Sequence, residues 1–232
     1  MSRVWRVVRI QLVNAPAVLG LPVLVLLLVL AANIALFAAI GDAAPPDGNI
    51  TGAVISIYGV MLAVHLQTMT QVFPFALGLS VTRRTFFEAT SVVVAAQALG
   101  YGVLLYLLSL LERGTDGWWL RLKVFQIPFL DVSNPLLQIL VYTVPFLFVS
   151  FLGVFLGVVF KRWGQLGVWV LAIGAGGALS LAAILITWQR WWPAVGEFFA
   201  GQSALALFVG YPFVLAALLA GAGYLTLRRA TA

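Results

Sequence analysis

Residues 17–40 read AVLGLPVLVLLLVLAANIALFAAI, without a single Asp, Glu, Lys or Arg. A bilayer hydrocarbon core of about 30 Å is crossed by roughly 20 apolar residues in helical form, so this stretch alone predicts a membrane-spanning helix. The same test, applied outward along the chain, finds six long charge-free runs: 10–41, 48–82, 89–111, 132–160, 163–189 and 198–227. A charge at mid-bilayer costs about 2.5–3.5 kcal/mol even on the lenient insertion scale, which is the physical reason to count spans by where charges are absent. The reading is an all-α integral membrane protein with six transmembrane helices.

Composition agrees. Of the 232 residues, 63% are hydrophobic and 9% charged, with mean hydropathy +1.09. Soluble domains carry about 25% charged residues, so a soluble enzyme, a disordered tail and a nucleic-acid binder are excluded. The first run is longer than the about 7–15 apolar residues of a secretory signal and is read as a retained helix. Cysteine is absent, which removes disulfides, thiolate metal sites and cysteine nucleophiles.

With six spans, the Lys/Arg bias sets orientation. One side collects Arg3, Arg6, Arg9, Arg83, Arg84, Lys161, Arg162, Arg228 and Arg229 against Glu88. The other holds Arg113, Arg121, Lys123 and Arg190 against Asp42, Asp47, Glu112, Asp116, Asp131 and Glu197. The expected balance is +8 inside and −2 outside, which sums to the net +6 of the chain, with both termini cytoplasmic. Trp5, Trp163 and Trp169 mark the inner interface, and Trp118, Trp119, Trp188, Trp191 and Trp192 the outer one.

Residues 2–14 (SRVWRVVRIQLVN) precede the first span. Arg3, Arg6 and Arg9 share one third of a helical wheel, while Trp5, Val8 and Leu12 lie elsewhere on it. This predicts an amphipathic interfacial helix on the inner leaflet, its arginines near anionic lipid; a basic flank that only sets topology accounts for the same residues. Residues 41–49 (GDAAPPDGN) read as a short outer turn, and 112–134 as a longer segment skimming the outer interface. Residues 15–230 form one membrane domain. Gly153 and Gly157 make a GxxxG, Gly174–Ala178 is a second small patch, and Ala217/Gly221 repeats the spacing; such residues let helices approach closely, within a chain or across a dimer. Within the chain is the preferred reading for Gly153/Gly157. Pro74, Pro145 and Pro212 fall inside spans as kink sites.

Chemistry is excluded more than suggested. His65 is the only histidine, no acid lies mid-span, and no GxSxG or GxxxxGK[ST] occurs. No catalytic or metal-binding set can be assembled, so the chain is not expected to be an enzyme. The most polar stretch inside any span is HLQTMTQ (65–71). Gln67, Thr68 and Gln71 fall on one arc of about 100° and must face protein or a wet cavity. Hydrogen bonding between helices and a polar lining for a substrate path both satisfy that demand; His65 lies off the arc and reads as a packing residue. The inner segment FPFALGLSVTRRTFFEATS (73–91) places Thr82, Arg83, Arg84, Thr85, Phe86, Phe87 and Glu88 together, with a short helix predicted over 82–89. Arginine beside aromatics is the composition of a protein-binding hot spot; phenylalanines embedded in the membrane are the competing reading.

That segment resembles the loop between helices 2 and 3 of small bacterial ABC exporter permeases of the ABC type 2 class, as found in high-GC Gram-positive genomes. Gly78, Thr82, Arg83, Arg84, Phe86, Phe87 and Ala89 match the pattern, Ala89 standing where glycine is frequent, and KRWGQLG (161–167) is similar to an inner loop of the class. The resemblance implies a half-transporter in the bacterial plasma membrane. It would pair with a second copy or a related permease, and would hold a separate ATPase subunit, which binds ATP and Mg, through a coupling helix at about 79–89. Thr82 to Glu88 would contact that subunit, the interfacial helix would lie close to it, and Gln67, Thr68 and Gln71 would line the path of an amphiphilic or hydrophobic substrate. The alternative is a six-helix membrane anchor or regulator of a cytoplasmic partner that transports nothing.

Overall fold

A computed structural model of the chain describes residues 3–41, 49–127 and 130–228. The expected turn over 41–49 (all but its ends), Ser2 and Arg229 lie outside the described residues. The architecture is all-α apart from a two-residue parallel ladder. In chain order the elements are α1 (Arg3–Gln11), α2 (Pro16–Ile40), β1 (Asn49–Ile50), α3 (Ile55–Gly78), α4 (Arg83–Gly114), β2 (Leu122–Lys123), α5 (Pro135–Trp188), α6 (Trp192–Ala200) and α7 (Ala206–Arg228). Among the described residues, α2, α3, α4, α5 and α7 are long and apolar enough to cross a membrane, as in a multi-pass membrane protein.

The count is five rather than six because the expected fourth and fifth spans run on as one helical segment of 54 residues, α5, two arms joined across a kink without an intervening loop. Lys161 and Arg162 make too short an interruption to end a helix by composition. The break comes at Gly164, whose φ of 66° and ψ of −161° lie outside the helical region and are open chiefly to glycine. The bend there is sharp. A Cβ placed on Gly167 would sit 3.4 Å from Val159 Cγ1, whereas residues eight apart on a straight helix are separated by about 12 Å along the axis.

Three prolines leave one signature, which Pro145 in α5 does not share. The residues before Pro22, Pro74 and Pro212 each donate their N–H five residues back: Leu21 to Pro16, Phe73 to Thr68 and Tyr211 to Ala206. A proline has no N–H for the carbonyl four residues earlier and clashes with it; one wider π-type turn relieves that clash. The carbonyl freed by Pro22 belongs to Val18, and it accepts from Gln97 Nε2 at 3.1 Å, while Leu19 O accepts from Tyr101 OH at 3.0 Å. Lipid offers no such donors, so the neighbouring helix supplies them.

Two buried clusters fill the bundle. One gathers Leu26, Ile57, Met61, Leu105, Phe125 and Phe146; the other gathers Val8, Met69, Phe73, Phe86, Val154 and Leu227 toward the arginine-rich end. Gly153 and Gly157 bring α5 against α3, so the GxxxG packs within the chain. A Cβ on Gly153 would lie 2.5 Å from Leu62 O, and one on Gly157 2.5 Å from Met69 Cβ. By contrast, no described residue from Lys161 to Ala200 is buried, and the Gly174, Gly176 and Gly177 patch faces open space.

The segment after α4 is organised by Glu112, which is buried. Its carboxylate accepts from Trp118 Nε1 at 3.1 Å and from the backbone N–H groups of Val124, Phe125 and Gln126 at 3.0, 3.0 and 2.9 Å. Asp116, Gly117, Trp118 and Trp119 are all left-handed, with φ between 49° and 70°, which costs roughly 1–2 kcal/mol per non-glycine residue. The charge-assisted bonds to Glu112 offset that strain. β2 then pairs with β1, Asn49 opposite Leu122 and Ile50 opposite Lys123. The expected interfacial segment is thus a tucked loop with Leu122, Val124 and Phe125 fully buried.

Gly157→Leu should overpack the α3–α5 seam and destabilise the purified protein by about 1–3 kcal/mol, read as a lower thermal midpoint in detergent. Gly174→Leu, in open space, should leave that midpoint unchanged.

Candidate functional site at the arginine-rich end

α1 lies along the start of α4. Val7, Val8 and Gln11 form its buried face, while Arg3, Trp5, Arg6 and Arg9 are exposed. Trp5 therefore stands on the outer side with the arginines rather than on the packed side. Gln11 Nε2 donates to Thr90 Oγ1 at 2.8 Å, which ties the helix to α4.

The turn joining α3 to α4 occupies 79–82. Ser80 is left-handed (φ 61°), and Thr82 caps α4, its Oγ1 accepting from the Thr85 N–H at 3.2 Å. The cap is the one the sequence suggests. The helix it begins is not a separate short one, however, since α4 continues without a break to Gly114. Arg84 and Thr82 are exposed, Arg83, Thr85 and Glu88 half-buried. Arg84 Nε donates to Glu88 Oε1 at 2.8 Å, an exposed i,i+4 pair of the kind that adds little to stability. Arg83 Nη1 donates to the Arg228 carbonyl at 3.3 Å and so caps the end of α7.

Phe86 and Phe87 point inward, 0% and 9% exposed. Phe86 meets Phe73 and Phe87 meets Tyr224 at ring-centroid distances of 5.1 and 5.3 Å. The expected aromatic-plus-arginine surface does not form, because positions 86, 87, 89, 90, 93 and 94 are the apolar face by which α4 enters the bundle. The exposed apolar groups here are instead Phe75 and Leu79, which the sequence reading passed over. Their signal was the flanking Gly78 and Ser80, turn residues that push Leu79 out.

Two grooves adjoin this end. One of about 420 Å³ runs between α1 and the turn, lined by Arg3, Arg6, Ile10, Leu79, Ser80 and Thr85 among others. The second, about 450 Å³, lies between α1, the start of α2 and the wide turn of α3, and sets Gln11 and Asn14 on one wall across from Gln67, Thr68, Gln71 and Phe75 on the other. Gln67 and Gln71 are exposed and neither side chain bonds another described residue. Thr68 is buried and spends its hydroxyl on Val64 O at 3.0 Å. The three sequence-selected residues thus share a groove, with two free amides and one internally satisfied hydroxyl. His65 packs beside Gly153, 1% exposed, but neither ring nitrogen has a protein partner; it is a packed histidine, though not a satisfied one.

No protein-family profile matches the chain, and neither a characterised protein nor a solved structure is significantly similar to it. Among the described residues no group of His, Cys, Asp or Glu could hold a metal ion.

Gln67→Leu with Gln71→Leu should change unfolding stability by less than about 0.5 kcal/mol, as for groove-facing amides that bond no helix. Removing Gln97 and the Tyr101 hydroxyl (Gln97→Leu with Tyr101→Phe) strands the Val18 and Leu19 carbonyls and should cost about 1–3 kcal/mol in the same denaturation assay.

Proposed function

We propose that the chain is the membrane-spanning subunit of an ATP-binding-cassette exporter, acting with a second copy or a related permease and with separate ATPase subunits that bind ATP and Mg. In this reading α5 crosses twice, turning at Gly164 on the inner side. That gives six crossings with both termini cytoplasmic in a bacterial plasma membrane, and an amphiphilic or hydrophobic substrate moves outward. The observation that carries it is the exposed turn at 79–84, backed on one side by α1 and continuous on the other with the rigid helix α4. A push on Leu79, Thr82 or Arg84 would be delivered straight into a transmembrane helix, and through Gln11–Thr90 into α1. Phe86 and Phe87 would transmit that push within the bundle rather than touch the ATPase. Gln67 and Gln71 would give the substrate path its polar contacts, and the chain itself carries no phosphate-binding loop.

Arg83→Glu with Arg84→Glu should leave membrane insertion intact while a phosphate-loop ATPase that co-purifies with the wild-type chain is lost, or while coupled ATP turnover falls to its basal rate. Unchanged co-purification and turnover would overturn the role. A membrane anchor would predict the same partner contact but no ATP-dependent flux in reconstituted vesicles.

A further inference from the structure

Arg162, near the bend of α5, and Arg228, at the end of α7, line one pocket of about 430 Å³ together with Leu225 and Thr226. Each guanidinium is braced against an aromatic ring, Arg162 over Trp163 at 4.4 Å and Arg228 over Tyr224 at 5.8 Å. Among the described residues neither has a carboxylate partner: the ion pairs there are Arg84–Glu88 and Arg113–Asp131, so Glu88, the one acidic side chain expected on this side, is already engaged. Two adjacent, uncompensated cations repel each other, and a bidentate oxyanion relieves that repulsion.

An apolar cleft of about 480 Å³ has the two arms of the bent α5 as its walls, with Phe155 and Val159 on one arm, Leu166, Val170 and Leu171 on the other, and Trp163, the chain neighbour of Arg162, at the corner. Phe155, Val159 and Arg162 are spaced i, i+4, i+7 and so form one stripe on the first arm. Trp163 links the two, since its side chain walls the cleft while its ring carries Arg162. A cation pair followed by an apolar slot has the polarity order of a lipid: charged head, then acyl chain.

We propose that Arg162 and Arg228 bind the phosphate of an acidic glycerophospholipid, with Thr226 as a further hydroxyl donor and an acyl chain lying in the cleft between the arms of α5. The lipid fills a surface that no described side chain covers and joins α5 to α7. The site needs only that the chain lies in a membrane, and it stands or falls independently of the transporter reading.

The test uses the full chain, purified in mild detergent, supplied with an equal mixture of phosphatidylglycerol and phosphatidylcholine, and read by native mass spectrometry. Wild type should retain phosphatidylglycerol preferentially. Arg162→Gln with Arg228→Gln should lower that retention about tenfold or more, the magnitude of losing a charge-assisted hydrogen bond, while Arg113→Gln should not change it. Val159→Trp, which blocks the cleft and keeps both arginines, should release the lipid as well. Arg162→Lys with Arg228→Lys preserves charge if the glutamine pair fails to fold, and should give intermediate retention. Equal retention of phosphatidylcholine, displacement by inorganic phosphate, or unchanged retention in the glutamine pair or in Val159→Trp would overturn the proposal. So would loss of a co-purifying protein with lipid retention intact, which would make the arginine pair a protein-docking site.

Discussion

The close approach of α3 to the small face of α5 decides how the rest of the bundle is arranged. Gly153 and Gly157 leave no room for a side chain between the Leu62 and Leu66 carbonyls, His65 and Met69 on one helix and the backbone of the other. Without a hydrophobic driving force between helices in lipid, such contact is the main source of association. Once Leu62, His65 and Met69 are turned to α5, the helical period sends Gln67 and Gln71 to the opposite side. There α1 and the first turn of α2 make the other wall of a groove. The polar groove is therefore a consequence of two glycines on a different helix.

α4 plays the complementary part. Thr90, Gln97 and Tyr101 recur at helical spacing along one face and bond, in order, Gln11, the Val18 carbonyl and the Leu19 carbonyl. The Val18 carbonyl is free because Pro22 has no N–H to give it. The proline that weakens α2 thus supplies one polar handle by which α4 holds it, and the N-terminal helix and the first span are fastened to α4 over little more than a third of its length.

Where the membrane-crossing segments lie was legible because the penalty for a buried charge falls on single residues, so gaps between charges map the hydrocarbon layer directly. Which way side chains turn within those segments was not. In a run such as TFFEATSVVV nearly every position is apolar or small, so periodicity cannot tell an inward Phe86 from an outward one, and its arginine neighbours suggested the wrong side. The Gly153/Gly157 face was visible in the sequence, but not the helix covering it. Glu112 left no side-chain signature, since three of its donors are backbone N–H groups. Gly164 read as an ordinary residue of an inner loop, yet its positive φ makes the kink that joins two helical arms with no loop between them.

The ladder between β1 and β2 also orders the chain's assembly in time. Residues 49–50 emerge during synthesis well before their partners at 122–123, and Glu112 before the amides of Val124, Phe125 and Gln126. The Tyr142 hydroxyl, which closes on the Phe125 carbonyl at 2.8 Å, comes later still. Until the ribosome has delivered residues 122–126, the β1 edge is unpaired and the Glu112 carboxylate lacks its backbone donors. A chain stalled or cleaved before residue 122 therefore displays an unfinished surface that a completed one hides.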